Sequence, residues 1–277
     1  MTRSPLLIIA LVCCLNGCQK TAPENNAATI IPPPGWELVW HDEFDGEGTP
    51  DPTKWTYAVG GHGWGNKEQQ YYTEARVENA GQYDGRLHVT ARRESWEGMD
   101  YTSARVISRG RGDFRYGRFE IRAKVPSARG TWSAIWMMPS DWQFSDGGWP
   151  DIGEIDIMEH VGHDPGVIHA SAHSRDYQWQ KGTQKTGTVE IPTATTEFHT
   201  YVLEWSEARL AAYVDDQLYF EYLNEGEGEG KWPYHKPFYL ILNVAVGGEW
   251  GMVKGLDEAA FPQTMEVDYV RVYKLLE

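Results

Sequence analysis

From Gly35 onward the chain is a succession of short runs in which apolar and polar residues alternate with a period of two. These runs include GRLHVTARRE, ARVISRG, GRFEIRAKVP, HTYVLEWS, RLAAYVDDQLYFEYL, FYLILNVAVGG and MEVDYVRVYKLL. Gly, Pro, Asp and Asn punctuate them, and no long run carries the 3.6-residue period of an amphipathic helix. A chain patterned in this way must bury one face of each strand against another sheet, so an all-β sandwich of antiparallel strands is expected. Residues 35–277 make one large unit of this kind, a size that single all-β domains reach. There is no internal repeat, Gly-rich phosphate loop, HExxH or GxSxG, which sets aside the commonest nucleotide, zinc-protease and serine-hydrolase chemistries.

The first 34 residues have a different character. MTRSPLLIIALVCCLNGC carries Arg3, an apolar run from Leu6 to Leu15 and small residues before Cys18. That run is too short to span about 30 Å of hydrocarbon as a helix, so residues 1–17 read as an export signal. LNGC is similar to the lipobox of bacterial lipoproteins, in which the signal is cut before the cysteine and lipids are attached to it. Residues 18–34 are accordingly expected to be a lipidated Cys18 followed by a Pro-rich tether, partly extended as polyproline II. More than one acyl chain on Cys18 would hold the protein durably at a membrane. An exported protein anchored at the cell envelope, the outer membrane or the cell surface follows.

The net charge is -15, and no Lys/Arg cluster breaks the acidic surface, which argues against a nucleic-acid partner. All three cysteines, Cys13, Cys14 and Cys18, lie in the leader, so the folded unit has neither disulfide nor thiol ligand. Its 13 Trp and 15 Tyr exceed what a core normally uses. Flat indole faces suit the apolar faces of sugar rings, although most of these rings belong to the core.

One segment concentrates acidic groups: WPDIGEIDIMEHVG, residues 149–162. Side chains alternate along a strand, so Glu154 and Asp156 share one face and Ile155 and Ile157 the other. Simple alternation would turn Glu159 away. A one-residue bulge at Ile157 or Met158 restores it to the face of Glu154 and Asp156. Four regular strand steps span roughly 13 Å, and side chains leaning together narrow that gap toward the roughly 5 to 5.5 Å of a retaining glycosidase or the 6.5 to 9.5 Å of an inverting one. Such chemistry needs one ionised and one protonated carboxyl, and Asp156 between the two glutamates would help keep them apart in proton affinity.

These residues resemble glycoside hydrolase family 16, and within it the bacterial laminarinases, which are endo-β-1,3-glucanases. GEIDIMEHVG is similar to their active-site string, including the extra residue that separates them from the lichenase type. Further matching stretches are LVWHDEFDG, KWTYAVGGHGWGNKEQQYYT, YTSARVISRG, YGRFEIRAKVPSARGTWSAIWMMP, FHTYVLEWS, FYLILNVAVGGEW and FPQTMEVDYVRVYK.

The resemblance implies a β-jelly-roll sandwich with a substrate groove across its concave sheet. Residues 35–277 would be the catalytic domain. Glu154 would be the nucleophile, Glu159 the general acid/base and Asp156 the assisting carboxylate. Trp132 and Trp136, four apart and therefore on one face, would hold glucose rings, with polar help from Asn66, Arg105 and His173. His169 shares the spacing of His173 but lacks a third partner for zinc, and a groove or plain structural role is expected. No cofactor is expected for catalysis. A structural calcium is implied at Glu43, the Gly85 carbonyl and Asp268, oxygen donors suited to a hard cation. The expected partner is a β-glucan polysaccharide, and the expected state is a monomer. Mixed-linkage β-glucan or a galactan are alternative substrates on the same fold, and a non-catalytic glucan-binding protein is a third reading. Two features depart from the family pattern: Ser133 where proline usually follows the tryptophan, and the segment DWQFSDGGWP. Both are expected near the groove.

Overall fold

The computed structural model describes residues 29–141 and 148–276. Cys18, with the stretch expected to be a signal and most of the expected tether, lies outside the described residues, as does most of DWQFSDGGWP. The chain divides into residues 1–31 and 32–277, and the fold below is that of the second unit.

Two sheets face each other, as the alternating runs require. One has ten strands; its main path runs Gln217–Leu223, Arg209–Val214, His199–Trp205, Gly117–Lys124, Gln263–Leu275, Arg86–Trp96, Met99–Ser103 and Gln70–Tyr72. The other has eight, in the order Lys185–Glu190, Val167–His173, Glu154–Val161, Thr131–Pro139, Phe238–Val246, Arg105–Ile107 and Thr56–Tyr57, with Asp113–Phe114 beside Phe238. This is the expected jelly-roll sandwich. Pairing is antiparallel except between Gln70–Tyr72 and Met99–Ser103, which run parallel. The chain between them, residues 73–98, is the long connection that a parallel pair requires.

Inner faces of the strands supply the core. Leu240, Leu242, Val244 and Val246 alternate on one strand, and Phe119, Ile121 and Ala123 oppose them from the other sheet; all are fully buried. Each such aliphatic side chain contributes about 1.5 to 3 kcal/mol by leaving water, which stabilises a fold that has no disulfide. A smaller cluster of Ile107, Met138, Ile152, Tyr239 and Ile241 lies apart from this core, with Trp136 and Trp149 packed against it. It props two indoles on the outer face of the eight-stranded sheet.

Ser133 is fully buried, and its hydroxyl donates to the His160 carbonyl at 3.4 Å. It alternates with Trp132, so it faces away from the indole side. Ser133 thus sits beside Trp132 on the same strand without lining the outer face.

Candidate active site

The Glu154–Val161 strand pairs with both neighbours, and both registers slip by one residue. Asp156 is opposite Trp136 and Met158 is opposite Ile135, leaving Ile157 as the extra residue. On the other side Asp156 is opposite Ser171, whereas Glu159 is opposite His169. Ile155, Ile157 and Met158 all enter the core; two consecutive core residues are the mark of the bulge. Glu154, Asp156 and Glu159 thereby share the outer face. The freed carbonyl of Ile157 accepts a hydrogen bond from Tyr219, on the far sheet's edge strand.

Each glutamate has its own indole donor. Trp149 Nε1 donates to Glu154 Oε2 at 3.0 Å, and Trp132 Nε1 donates to Glu159 Oε1 at 3.0 Å. His173, opposite Glu154 in register, places Nε2 3.2 Å from Asp156 Oδ2 and 3.9 Å from Glu154 Oε1. Its main-chain carbonyl is held by the Tyr234 hydroxyl at 2.8 Å. These three form the one group of acidic and histidine donors close enough to share an ion among the described residues. The two carboxyls, crowded on the bulged strand with His173 facing them from the next, equally have the setting of a proton-sharing cluster.

Burial dominates the proton affinities. It pushes Glu154 up to about 8, reinforced by Asp156 and opposed by His173, Trp149 and Arg105. Asp156 is raised by burial, with its hydrogen bond to Glu154 opposing. Glu159 is raised well above the usual range, by burial first and then by Asp156, and Glu154 also pushes it up. Both glutamates have an indole donor and feel His173, but Arg105 also favours the charge of Glu154, whereas Glu159 is pushed toward its proton by both Asp156 and Glu154. That is the division of labour an acid-assisted displacement needs.

Around the carboxyls lies a wall of rings and amides. Arg105 lies between two indoles, 4.6 Å from the Trp64 centroid and 4.5 Å from that of Trp136. Trp136 Nε1 donates to Asn243 Oδ1 at 2.7 Å. Asn66 donates to Glu68 at 3.2 Å. Trp250 packs edge-on to Trp132 and to His169, with centroids 5.5 Å and 4.8 Å away. His169 thus serves in ring packing beside Glu159, and burial lowers its pKa. Asn66, Arg105, Trp132, Trp136 and His173, all named from sequence, belong to this neighbourhood. Trp64, Glu68, Tyr72, Asn243 and Trp250 were missed. A Gly-rich loop carrying a tryptophan, and the GGEW turn, were the available signals for the first and last.

The three expected calcium ligands lie on the opposite sheet. Asp42 pairs with Val270 and Leu87 with Val267, both on the edge of Gln263–Leu275 that Gly117–Lys124 does not occupy. Glu43 and the Asp84–Gly85 turn therefore flank Asp268, where the register of that strand shifts. At this seam the Glu43 carboxylate is already paired with a guanidinium. Arg271 grips it at 3.0 Å and 2.7 Å, and Arg122 binds Asp268 Oδ2 at 2.5 Å.

Recessed carboxyls of unequal proton affinity, set among indoles on a jelly-roll sheet, are the equipment of a glycoside hydrolase. The chain belongs to glycosyl hydrolases family 16, whose pattern it matches over residues 66–271. It is 49% identical to a β-glucanase of Rhodothermus marinus over 282 residues, covering all of this chain and 96% of that protein. The X-ray structure of the laminarinase from Rhodothermus marinus superposes with a TM-score of 0.85 at 54% identity, covering 87% of this chain and 98% of that one. SCLam, described as a non-specific endo-β-1,3(4)-glucanase, superposes with a TM-score of 0.83 at 43% identity, covering 89% of this chain and 94% of its own.

Proposed function

We propose that the protein is an endo-acting, retaining β-1,3-glucanase in which Glu154 is the nucleophile, Glu159 the general acid/base and Asp156 the assisting carboxylate. The observation that carries this reading is the bulge at Ile157, which turns three carboxyls onto one indole-lined face. In the first step a Glu154 oxygen forms a bond to the anomeric carbon while the bond to the leaving glucan oxygen breaks. Glu159 gives that oxygen its proton. In the second, Glu159 takes a proton from water, the water oxygen attacks the same carbon, and Glu154 departs. Two inversions leave the β-configuration intact. Trp132, Trp136, Arg105, Asn66 and His173 bind and orient the sugar rings.

Kinship with a β-glucanase, a laminarinase and an endo-β-1,3(4)-glucanase supports a β-1,3-glucan substrate with some tolerance of mixed linkage. The test is digestion of laminarin, curdlan, lichenan and agarose by the purified protein, with identification of the released oligosaccharides. Release from laminarin and curdlan is expected; release from agarose alone would contradict the substrate.

Two accessory features complete the reading. A calcium ion at the Glu43, Gly85 and Asp268 seam would be held by main-chain carbonyls and the second Asp268 oxygen, stabilising the fold without touching the chemistry. Lipidation at Cys18 of LNGC would anchor an exported monomer to the envelope. Detergent partitioning of wild type against Cys18→Ser checks the anchor: wild type belongs in the detergent phase, and a wild type wholly in the aqueous phase after export would contradict it.

A further inference from the structure

Glu68 is 8% exposed and forms no salt bridge among the described residues. Three donors converge on its two oxygens: Gln70 Nε2 at 2.7 Å, Asn66 Nδ2 at 3.2 Å and the Tyr72 hydroxyl at 3.2 Å. Burial pushes its pKa up, while these bonds and the charge of Arg105 pull it back.

A carboxylate can only accept, so it fixes the direction of everything attached to it. Because the Tyr72 hydroxyl spends its proton on Glu68, its lone pair is left to accept Asn243 Nδ2 at 3.0 Å. That sets the amide of Asn243, whose Oδ1 then faces the Trp136 indole N–H at 2.7 Å. On its other side Glu68 holds the Asn66 amide. One buried acid thus orders two sugar-facing groups, and Arg105, stacked on Trp136, is ordered with them.

The surrounding backbone is held with similar force. Trp64 and Lys67 have φ of 51° and 57°, a conformation costly for side chains of that bulk. Cross-links keep them there: Asn66 N and Glu68 N bond the Gly63 carbonyl, Gln69 N bonds Val246, and Glu249 N bonds the Asn66 carbonyl. Strained backbone that the neighbouring structure over-determines marks pre-organisation.

We infer that Glu68 is a positioning residue for glucan recognition: it acts through Asn66, and through Tyr72 and Asn243 on Trp136, to pre-order the sugar-facing set, and takes no part in bond cleavage. The inference rests on the glucanase reading above.

The test is Glu68→Gln, which keeps the shape but turns an NH2 toward converging donors. Steady-state kinetics on laminarin should show KM raised about tenfold, equivalent to about 1.4 kcal/mol, with kcat within about twofold of wild type and an unchanged pH profile. Tyr72→Phe retains the carboxylate but breaks the relay to Asn243, so it should raise KM less; it also carries the test if Glu68→Gln does not fold. An unchanged KM accompanied only by a lower Tm would overturn the inference, as would a fall in kcat at constant KM. Wild type is assayed in parallel. Failure of the glucanase reading would appear there as no turnover and take this inference with it, whereas failure of the Glu68 assignment alone appears only in the variants.

Discussion

The Tyr219 hydroxyl donates to the main-chain carbonyl of Ile157, the extra residue of the acidic strand. A bulge removes a carbonyl from the ladder, and a buried carbonyl without a partner is costly. Here the far sheet's edge strand satisfies it, tying the aim of Glu159 to the packing of the whole sandwich.

Tyr219→Phe leaves that carbonyl unpaired and is expected to cost about 1 to 3 kcal/mol. If the bond also holds the bulge in place, kcat should fall more than KM rises. Calorimetry and kinetics on one preparation check this; a variant with wild-type Tm and kcat would show that the bond is idle.

The contribution of Glu154 to stability should fall as pH rises. Burial moves Glu154 from 4.5 to about 8, so the folded state keeps a proton that the unfolded chain releases. The unfolded state therefore binds fewer protons between those values, and stability declines across that window. Glu154→Gln removes this titration, so the Tm of the variant relative to wild type should rise between pH 5 and pH 8. A difference that stays flat or falls would contradict the assigned direction.

With Glu159 as the proposed acid, the alkaline limb of activity is expected to follow Glu159, whose proton is retained well above the usual carboxylate range. Glu159→Ala acting on an aryl glucoside with a good leaving group should form its intermediate without that limb. A stopped-flow burst that still declines at high pH in the variant would assign the limb elsewhere.

The seam beside Asp268 has its own test. An ion bound only by the folded state stabilises it by mass action, so EDTA should lower Tm and calcium restore it, with kcat unchanged. Asp268→Ala also loses Arg122, so Arg122→Ala is the control: it should keep the EDTA response that Asp268→Ala lacks. Melting indifferent to EDTA in wild type would remove the ion from the account.

Alternation in FYLILNVAV and GRFEIRAK was enough to read the sandwich, because each strand buries one face. The acidic strand was legible for the same reason: Ile155 and Ile157 had to be core, which left Glu159 misdirected unless a bulge intervened. Two positions fitted that bulge, and pairing with Ile135 and Trp136 selects Ile157. Contacts between distant segments carry no such period. Glu68 in NKEQQYY reads as a solvated acid until Tyr72, Asn243 and Trp136, spread over 171 residues from the second to the first of these partners, are seen in one chain of hydrogen bonds. Trp250 and Tyr219 act through contacts of the same long-range kind, as does the Glu43 carboxylate, which pairs with Arg271.

The roles of the two glutamates are tested most directly by azide rescue with stereochemical readout. Glu159→Ala, given an activated β-glucoside, should stall as the Glu154 ester, and azide, which needs no general base, should release a β-glycosyl azide visible by proton NMR. Glu154→Ala should give no β-azide, and wild type should release the β-anomer first. First appearance of the α-anomer from wild type, or β-azide from the Glu154 variant, would contradict the assignment.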